Sequence, residues 1–424
     1  MDPKDLLIRS FHAAVAAADP LEILPRHLPV SPPSARTLVV GAGKAGASMA
    51  VAAERHWPAG ASLEGLVITR HGHGRPTKRI EVIEAGHPVP DAAGEAGARE
   101  ILRRVRSLGR DDFLLALISG GGSALLSLPV DGVGMDALRA TTRALLRSGA
   151  PIQEINTVRK HLSAIQGGRL AEACKAPVLA LIISDVTGDD PTHIASGPCA
   201  PDPTTYADAL AVLERHGAAA SPAVLEHLRR GVRGEVPETP KPGDQLFSGV
   251  ENRVVATARQ ALSAAEDFFR SHAIQTWNLG DRITGEASEV ARAQEALVRR
   301  IVRHGEPVKP PVALISGGEC TVTVRGGGRG GRCTEFLLSL AIALDGLPDV
   351  QAIACDTDGI DGSEDNAGAV LLPDSLSRAA RQGMNAGALL ADNDAYGFFS
   401  ALGDLVVTGP TRTNVNDYRA ILVT

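Results

Sequence analysis

The stretch TLVVGAGKAGA, Thr37 to Ala47, decides how this chain of 424 residues folds. Leu38, Val39 and Val40 form an apolar run without polar interruption, as expected of a strand buried on both faces of a parallel sheet. The chain then breaks into Gly41, Gly43 and Gly46 and enters a helix of small residues. These glycines satisfy G-x-G-x-x-G, the spacing of a dinucleotide-binding turn. Lys44 lies inside the loop. A glycine turn at a helix N-terminus offers N–H groups and a positive dipole end to an anion. Lys44 adds a full charge, so the stretch suits phosphate chemistry as well as cofactor binding.

The next strand separates the two readings. A dinucleotide site places an acidic residue at its end to hold the ribose. That strand, GLVITRHG (65–72), ends in Arg70 and His71, so the acid is missing, although Arg70 suits a 2′-phosphate.

Further along, DFLLALISGGGSALL (112–126) and VLALIISDVTGDD (178–190) repeat the pattern of apolar strand into polar loop. Helical segments at 135–148 and about 157–174 lie between them. Before the first strand, residues 4–19 carry helical apolar spacing, and Pro25, Pro29, Pro32 and Pro33 mark a loop. A Pro- and Gly-rich segment around 234–249 reads as an interdomain linker. VVATA (254–258), VALISGGECTVTV (312–324), QAIACDTDG (351–359) and DLVVTGPTRTN (404–414) continue the alternation. The expected fold is α/β, with two Rossmann-like domains of largely parallel sheets flanking an interdomain active-site cleft. The expected boundaries are 1–235, a linker at 236–249, and 250–424.

Composition narrows the function. Aromatic residues make up only 3%, too few for base stacking, and a net charge of −6 without a basic tract leaves no footprint for nucleic acid or an anionic membrane. No apolar run approaches the roughly 20 residues of a membrane span. The five cysteines are odd in number and lack C-x-x-C spacing, which suggests neither a disulfide framework nor a zinc ribbon. A reducing, cytoplasmic setting is the expectation, and a homodimer is an admissible assembly.

The chemistry-bearing residues cluster after the strands. Ser119-Gly120-Gly121-Gly122-Ser123 lets backbone N–H groups wrap an anion, with Ser123 as a helix cap. In SDVTGDDPTHIASGP (184–198), Asp185, Asp189 and Asp190 gather on one loop, fit for a hard cation such as Mg²⁺. Between Arg325 and Arg332, five glycines and three arginines fall in eight residues, which reads as a mobile hairpin around Arg329. Arg332 differs, because it precedes a helix and suits bidentate contact with phosphate oxygens. Gly317, Gly318 and Glu319 end another strand, and CDTDGIDGSEDNAGA (355–369), with Asp356, Asp358, Asp361, Glu364 and Asp365, reads as a substrate or Mg²⁺ site at a strand end. His71, His73 and His87 have no metal-ligand spacing. No G-x-S-x-G elbow is present.

Taken in order, GAGKAG, GHPVPD (86–91), ISGGGSALL, NTVRKHLSAIQGGRLA (156–171), SDVTGDDPTHIASGP, LGDRITGEA, ISGGE, GGR and DTDGIDG resemble the class II glycerate kinases, which join a large N-terminal domain to a MOFRL-type domain. The resemblance covers the chain from Val39 onward. It implies ATP- and Mg²⁺-dependent phosphorylation of D-glycerate to 2-phosphoglycerate. Lys44 and Arg332 match the family's important lysine and arginine. Asp189, Asp190 and Asp358 serve metal or substrate, with base and metal-ligand roles open between them. The glycine loops, Gly41 and Gly43, Ser119–Ser123 and Gly317–Glu319, hold nucleotide or glycerate. Cys333 stands where the family more often has a polar side chain. Family members have also carried the name hydroxypyruvate reductase, so NAD(P)H-dependent reduction is the alternative.

Overall fold

The computed structural model describes residues 2–31 and 35–424. Pro32 and Pro33 of the expected loop fall outside this range, while Pro25 sits in a short 3-10 turn, Leu24–Arg26. Two compact units form: residues 20–255, and residues 256–424 together with the segment up to Asp19.

The first unit is built on six strands: β1 (Thr37–Ala42), β2 (Glu64–Arg70), β3 (Ile80–Ala85), β4 (Phe113–Ile118), β5 (Val178–Ile183) and β6 (Val250–Ala256). Their order is β3-β2-β1-β4-β5-β6, and β1 to β5 pair in parallel. Every residue of β1 and β5 is buried, which is why these strands read as unbroken apolar runs. β3 gave no such signal, since its sequence IEVIEA alternates at the sheet margin. Strand order reverses between β1 and β4, the position where an open α/β sheet leaves a crevice at its carboxyl edge. TLVVGAGKAGA and ISGGGSALL leave the sheet side by side at that point.

The second unit contains β7 (Gln275–Asn278), β8 (Gly285–Glu286), β9 (Val312–Gly318), β10 (Cys320–Thr321), β11 (Val350–Asp356), β12 (Gly368–Leu371), β13 (Leu405–Val406) and β14 (Asp417–Val423). β8 and β10 make a two-stranded ribbon; the others form a sheet in the order β13-β12-β11-β14-β9-β7. The unit is α/β as expected, but its sheet is not largely parallel. Among the described residues of that sheet only β7 and β9 pair in parallel, while β14 lies antiparallel between β9 and β11. The run DYRAILV, absent from the expected strands, is one cause, and the antiparallel pairings of β12 with β11 and β13 are the other. DYRAILV inserts between two strands that would otherwise be parallel neighbours. The helix Arg332–Leu344 is buried on nearly all sides and forms the centre of this unit's core.

The expected boundaries also shift. The helix Pro3–Ala16 belongs to the second unit: its buried Phe11 lies 6.0 Å from the Tyr418 ring, and Tyr418 Oη donates to Ser10 Oγ at 2.8 Å. The expected linker is tied into the first unit. Glu238 accepts from Tyr206 N at 2.9 Å and from Lys241 Nζ at 2.9 Å, and Thr239 Oγ1 donates to Asp202 at 3.1 Å. These bonds hold the proline-rich segment against the first unit. Among the described residues, no helix is long and apolar enough to cross a membrane.

The β1–β4 junction permits no side chain at Gly43. Its φ is +139°, and a Cβ there would stand 2.0 Å from Ser119 Oγ. Gly43→Ala is expected to cost roughly 3 kcal/mol or more through overpacking and backbone strain. Gly60→Ala has nothing within 4 Å of the added carbon and isolates the conformational part, since its φ is also positive. Equal denaturation midpoints for the two variants would refute the close-packing account.

Candidate active site

Lys44 leaves β1 on a loop whose backbone is already engaged. Gly43 N donates to Ile68 O at 3.1 Å, Lys44 N to Gly120 O at 2.8 Å, Ala45 N to Ser119 Oγ at 3.1 Å and Gly46 N to Gly43 O at 3.0 Å. Thr69 Oγ1 occupies the carbonyl of Gly43 at 3.0 Å. A dinucleotide turn needs those N–H groups for its pyrophosphate. The reading of Gly41 and Gly43 as backbone ligands is therefore corrected. Gly41 is a strand residue paired on both sides, and its missing Cβ allows Leu117 O to approach. Both glycines let β1 and β4 close up, and what the loop presents is the Lys44 side chain.

The side chain runs toward the second glycine loop. A Cβ on Gly121 would lie 3.3 Å from Lys44 Cγ and 3.1 Å from the His87 ring. Within this loop Ser119 N donates to Ala42 O and Gly122 N to Ser119 O. The N–H groups of Gly120, Gly121 and Ser123 have no acceptor among the described residues, so the anion-wrapping role fits here. Ser123 Oγ lies 2.9 Å from Ser196 Oγ, which donates to Asn156 Oδ1 at 3.2 Å. Gln166 Nε2 holds the carbonyls of Ser123 and Leu126 at 2.9 and 3.0 Å. Ala195 and Ser196 both have left-handed φ, 51° and 59°. Such conformations cost roughly 1–3 kcal/mol each and persist where surrounding contacts enforce them.

Cations surround this pair of loops. His87 is half-buried near Lys44, Arg70, His73 and Arg159; burial first, then those charges, push its pKa down to about 3. Its imidazole is neutral at ordinary pH. Arg159 has only a 3.4 Å contact to Asn156 Oδ1 and no carboxylate partner among the described residues, and burial lowers its pKa to about 10. The adjacent Lys160 turns away into a buried pair with Asp202 at 3.3 Å. Neither Arg159 nor His87 was selected as a site residue from the sequence. The signal was the segment NTVRKH itself, but which of its three basic residues faces the site depends on helix phase and packing.

Asp185 follows β5 and is half-buried. Asp189 takes a left-handed φ of 57°, and exposed Asp190 accepts from Thr192 N at 2.9 Å. No group of three or more His, Cys, Asp or Glu side chains is gathered to hold a metal among the described residues.

In the second unit Arg332 is the first residue of the helix Arg332–Leu344. Its Nε pairs with Asp417 at 2.7 Å, Nη2 with Asp356 at 2.7 Å and Nη1 with Glu319 at 3.4 Å. Asp417 and Asp356 are almost fully buried, whereas Arg332 retains 23% exposure. Asp417 continues to Arg419 at 3.3 Å, and Arg419 Nη2 caps Gly317 O at 2.8 Å. Gly317 and Gly318 complete β9 and are buried; Gly318 has φ +111° against Ile283. Asp358 is buried and its Oδ1 accepts from Ile360 N at 2.8 Å. Asp361 accepts from Cys333 N, Thr334 N and Thr334 Oγ1 at 2.8–2.9 Å, tying the DTDGIDG loop to the helix start. Cys333 contributes its backbone there, so an apolar side chain is tolerated.

The mobile hairpin expected around Arg329 is not found. Arg325 N and Gly326 N donate to Asn393 Oδ1, Gly327 N to Asp392 and Arg329 N to Asp394, and the Arg329 guanidinium stacks 4.8 Å from the Tyr396 ring. Glycine is needed because a Cβ on Gly326 or Gly328 would strike that acidic turn. Asp417 also escaped the sequence reading, because it starts an antiparallel strand outside any glycine motif.

A family model described as a domain of unknown function, DUF4147, matches residues 6–229, and the MOFRL family matches residues 312–417. A protein from Agrobacterium vitis bearing a provisional hydroxypyruvate reductase name is 50% identical, over 99% of this chain and 94% of its own. Glycerate 2-kinase from Pyrococcus horikoshii is 37% identical over 100% of this chain and 98% of its own. The crystal structure of glycerate kinase from Thermotoga maritima superposes with a TM-score of 0.87 at 38% identity, covering 99% of both chains. With both domain types in order and such similarity over its full length, this chain belongs to the class II glycerate kinase family.

Proposed function

We propose that the chain is a glycerate 2-kinase, transferring the γ-phosphoryl group of ATP to the C2 hydroxyl of D-glycerate. The observation that carries this reading is the β1–β4 crevice of the first unit. There Lys44 stands over N–H groups of the Ser119–Ser123 loop, with Arg70 and Arg159 nearby and a histidine held neutral. Phosphoryl transfer needs positioned positive charge more than covalent chemistry from the protein. Lys44 neutralises charge building on the transferring group, and the Ser119–Ser123 loop binds phosphate or the glycerate carboxylate. Arg332, oriented by two buried carboxylates, is the candidate catalytic residue of the second unit. As the substrate oxygen bonds to the γ-phosphorus, the bond to the β–γ bridging oxygen breaks and ADP leaves. We assign the hydroxyl proton to Asp190, one of whose oxygens is fixed by Thr192 N while the other can accept.

Mg²⁺ fits this donor set in one manner. It commonly retains waters and is held by one or two carboxylates plus substrate phosphates. Asp185 and Asp189 on one loop, or Asp358, would supply those carboxylates, and the ion would neutralise phosphate charge. The rival, NAD(P)H-dependent hydroxypyruvate reduction, is disfavoured by the engaged N–H groups of the Gly43 loop and by the absent ribose acid. A direct comparison of ADP release with D-glycerate against NAD(P)H oxidation with hydroxypyruvate separates them; oxidation without ADP release would overturn the kinase reading.

Lys44→Ala is expected to lower kcat about 10²- to 10³-fold, since it removes charge aimed at the transition state. Arg332→Ala should lose activity and also about 3–5 kcal/mol of stability, because the buried Asp356 and Asp417 lose its guanidinium and Asp417 keeps only Arg419. Equal melting temperatures for the two variants would contradict the ion-pair account. Asp190→Asn should depress kcat while leaving KM for ATP nearly unchanged; a wild-type rate would remove Asp190 from the mechanism.

His87 adds a pH dependence. A histidine ordinarily protonates near 6.5, but here only at about 3, so below pH 6.5 the unfolded chain takes up a proton that the fold refuses. This contribution is constant above that pH and falls as pH drops toward 3. His87→Gln should flatten the loss of stability between about pH 7 and 5, read from denaturation midpoints. An unaltered slope would show that His87 does not remain neutral in the fold.

A further inference from the structure

Beside Ser123 and Arg159 the first unit contains a recess of about 230 Å³. Its walls come from one face of the helix Met135–Arg147, where Leu138, Thr142 and Leu146 recur at four-residue spacing, and from Pro88 and Val89 opposite. The interior is mainly apolar, yet Arg139, Arg143 and Arg159 line it and no acidic residue does. Two large apolar side chains at this recess are left more than half exposed, Val89 at 54% and Leu146 at 56%. Arg139 also has a buried Nε without a hydrogen-bond partner.

These features ask for a ligand with a flat apolar part and several negative charges. D-Glycerate offers one carboxylate and otherwise hydroxyls, which an apolar wall does not reward. The volume lies below the roughly 300–1,000 Å³ of a complete small-molecule site, so the recess takes part of a ligand whose remainder extends outside. Ser123, Gln166 and Arg159 lie both on its wall and in the crevice beneath Lys44, giving that remainder a continuous path. We propose that this recess binds the adenine and ribose of the phosphoryl donor, with Arg159 and the arginines of the helix Met135–Arg147 receiving its phosphates. The proposal rests on the kinase reading for the identity of the donor. Arg159 then has a positive role: a half-buried guanidinium with no carboxylate partner among the described residues is costly until an anionic ligand completes its pairing.

The test uses the full chain and Mg²⁺ with a non-hydrolysable ATP analogue, titrated calorimetrically into wild type, Leu146→Asp and Thr142→Phe. The first places a carboxylate at the exposed apolar side chain, and the second fills the recess. Both are expected to raise the Kd of the analogue at least tenfold, with KM for D-glycerate changed less than twofold. Photolabelling by 8-azido-ATP should mark the peptide containing residues 135–147, which covers the case of a variant that fails to fold. Unchanged analogue affinity in two folded variants, with ADP release intact, would overturn the recess assignment and leave the kinase reading standing. A rise confined to KM for D-glycerate would assign the recess to the acceptor instead. Analogue binding lost in the variants of a protein that releases no ADP with glycerate would uphold the recess and overturn the kinase reading. A wild type that binds no analogue would overturn both.

Discussion

The close approach of β1 and β4 governs the first unit. Gly41 and Gly43 remove the two side chains that would hold these strands apart, and Leu117 and Ser119 enter the vacated space. That contact draws the backbone N–H groups of Lys44 and Ala45 onto the following loop, so a motif that elsewhere binds pyrophosphate here binds its own neighbour. The second glycine loop, beside Lys44, keeps N–H groups that meet no acceptor among the described residues.

The second unit depends on a different constraint, the pairing of buried carboxylates. Asp356 ends β11 and Asp417 begins β14, and antiparallel register sets them opposite each other. Two buried acids side by side require a cation, which Arg332 supplies from the helix start and Arg419 from within the sheet. The arginine is consequently rigid, and its charge is largely balanced within the protein. The glycine-rich segment before it is equally fixed, pinned through its N–H groups to the acidic turn Asp392–Asp394.

Some of the candidate residues were readable from motif and strand together. Lys44, Ser119–Ser123 and Arg332 each follow a buried apolar run or precede a helix, so local pattern alone placed them at element ends. Arg159, His87, Ser196 and Asp417 were not readable that way. Arg159 is one of three consecutive basic residues, and only packing turns Lys160 inward to Asp202. His87 acquires its character from burial and then from cations distant in sequence, and Asp417 from a strand whose pairing direction no periodicity encodes.

By itself the sequence determined the alternation of strands and helices, the α/β class and the carriers of charge at strand ends, because burial on both faces imposes apolar runs and glycine marks the turns between them. Tertiary structure decided which N–H groups remain available, which arginines are paired, and where the chain divides. Those outcomes follow from contacts between residues far apart in the chain. A hydrogen bond or ion pair exists only once both partners are in place, and no local pattern records its partner in advance.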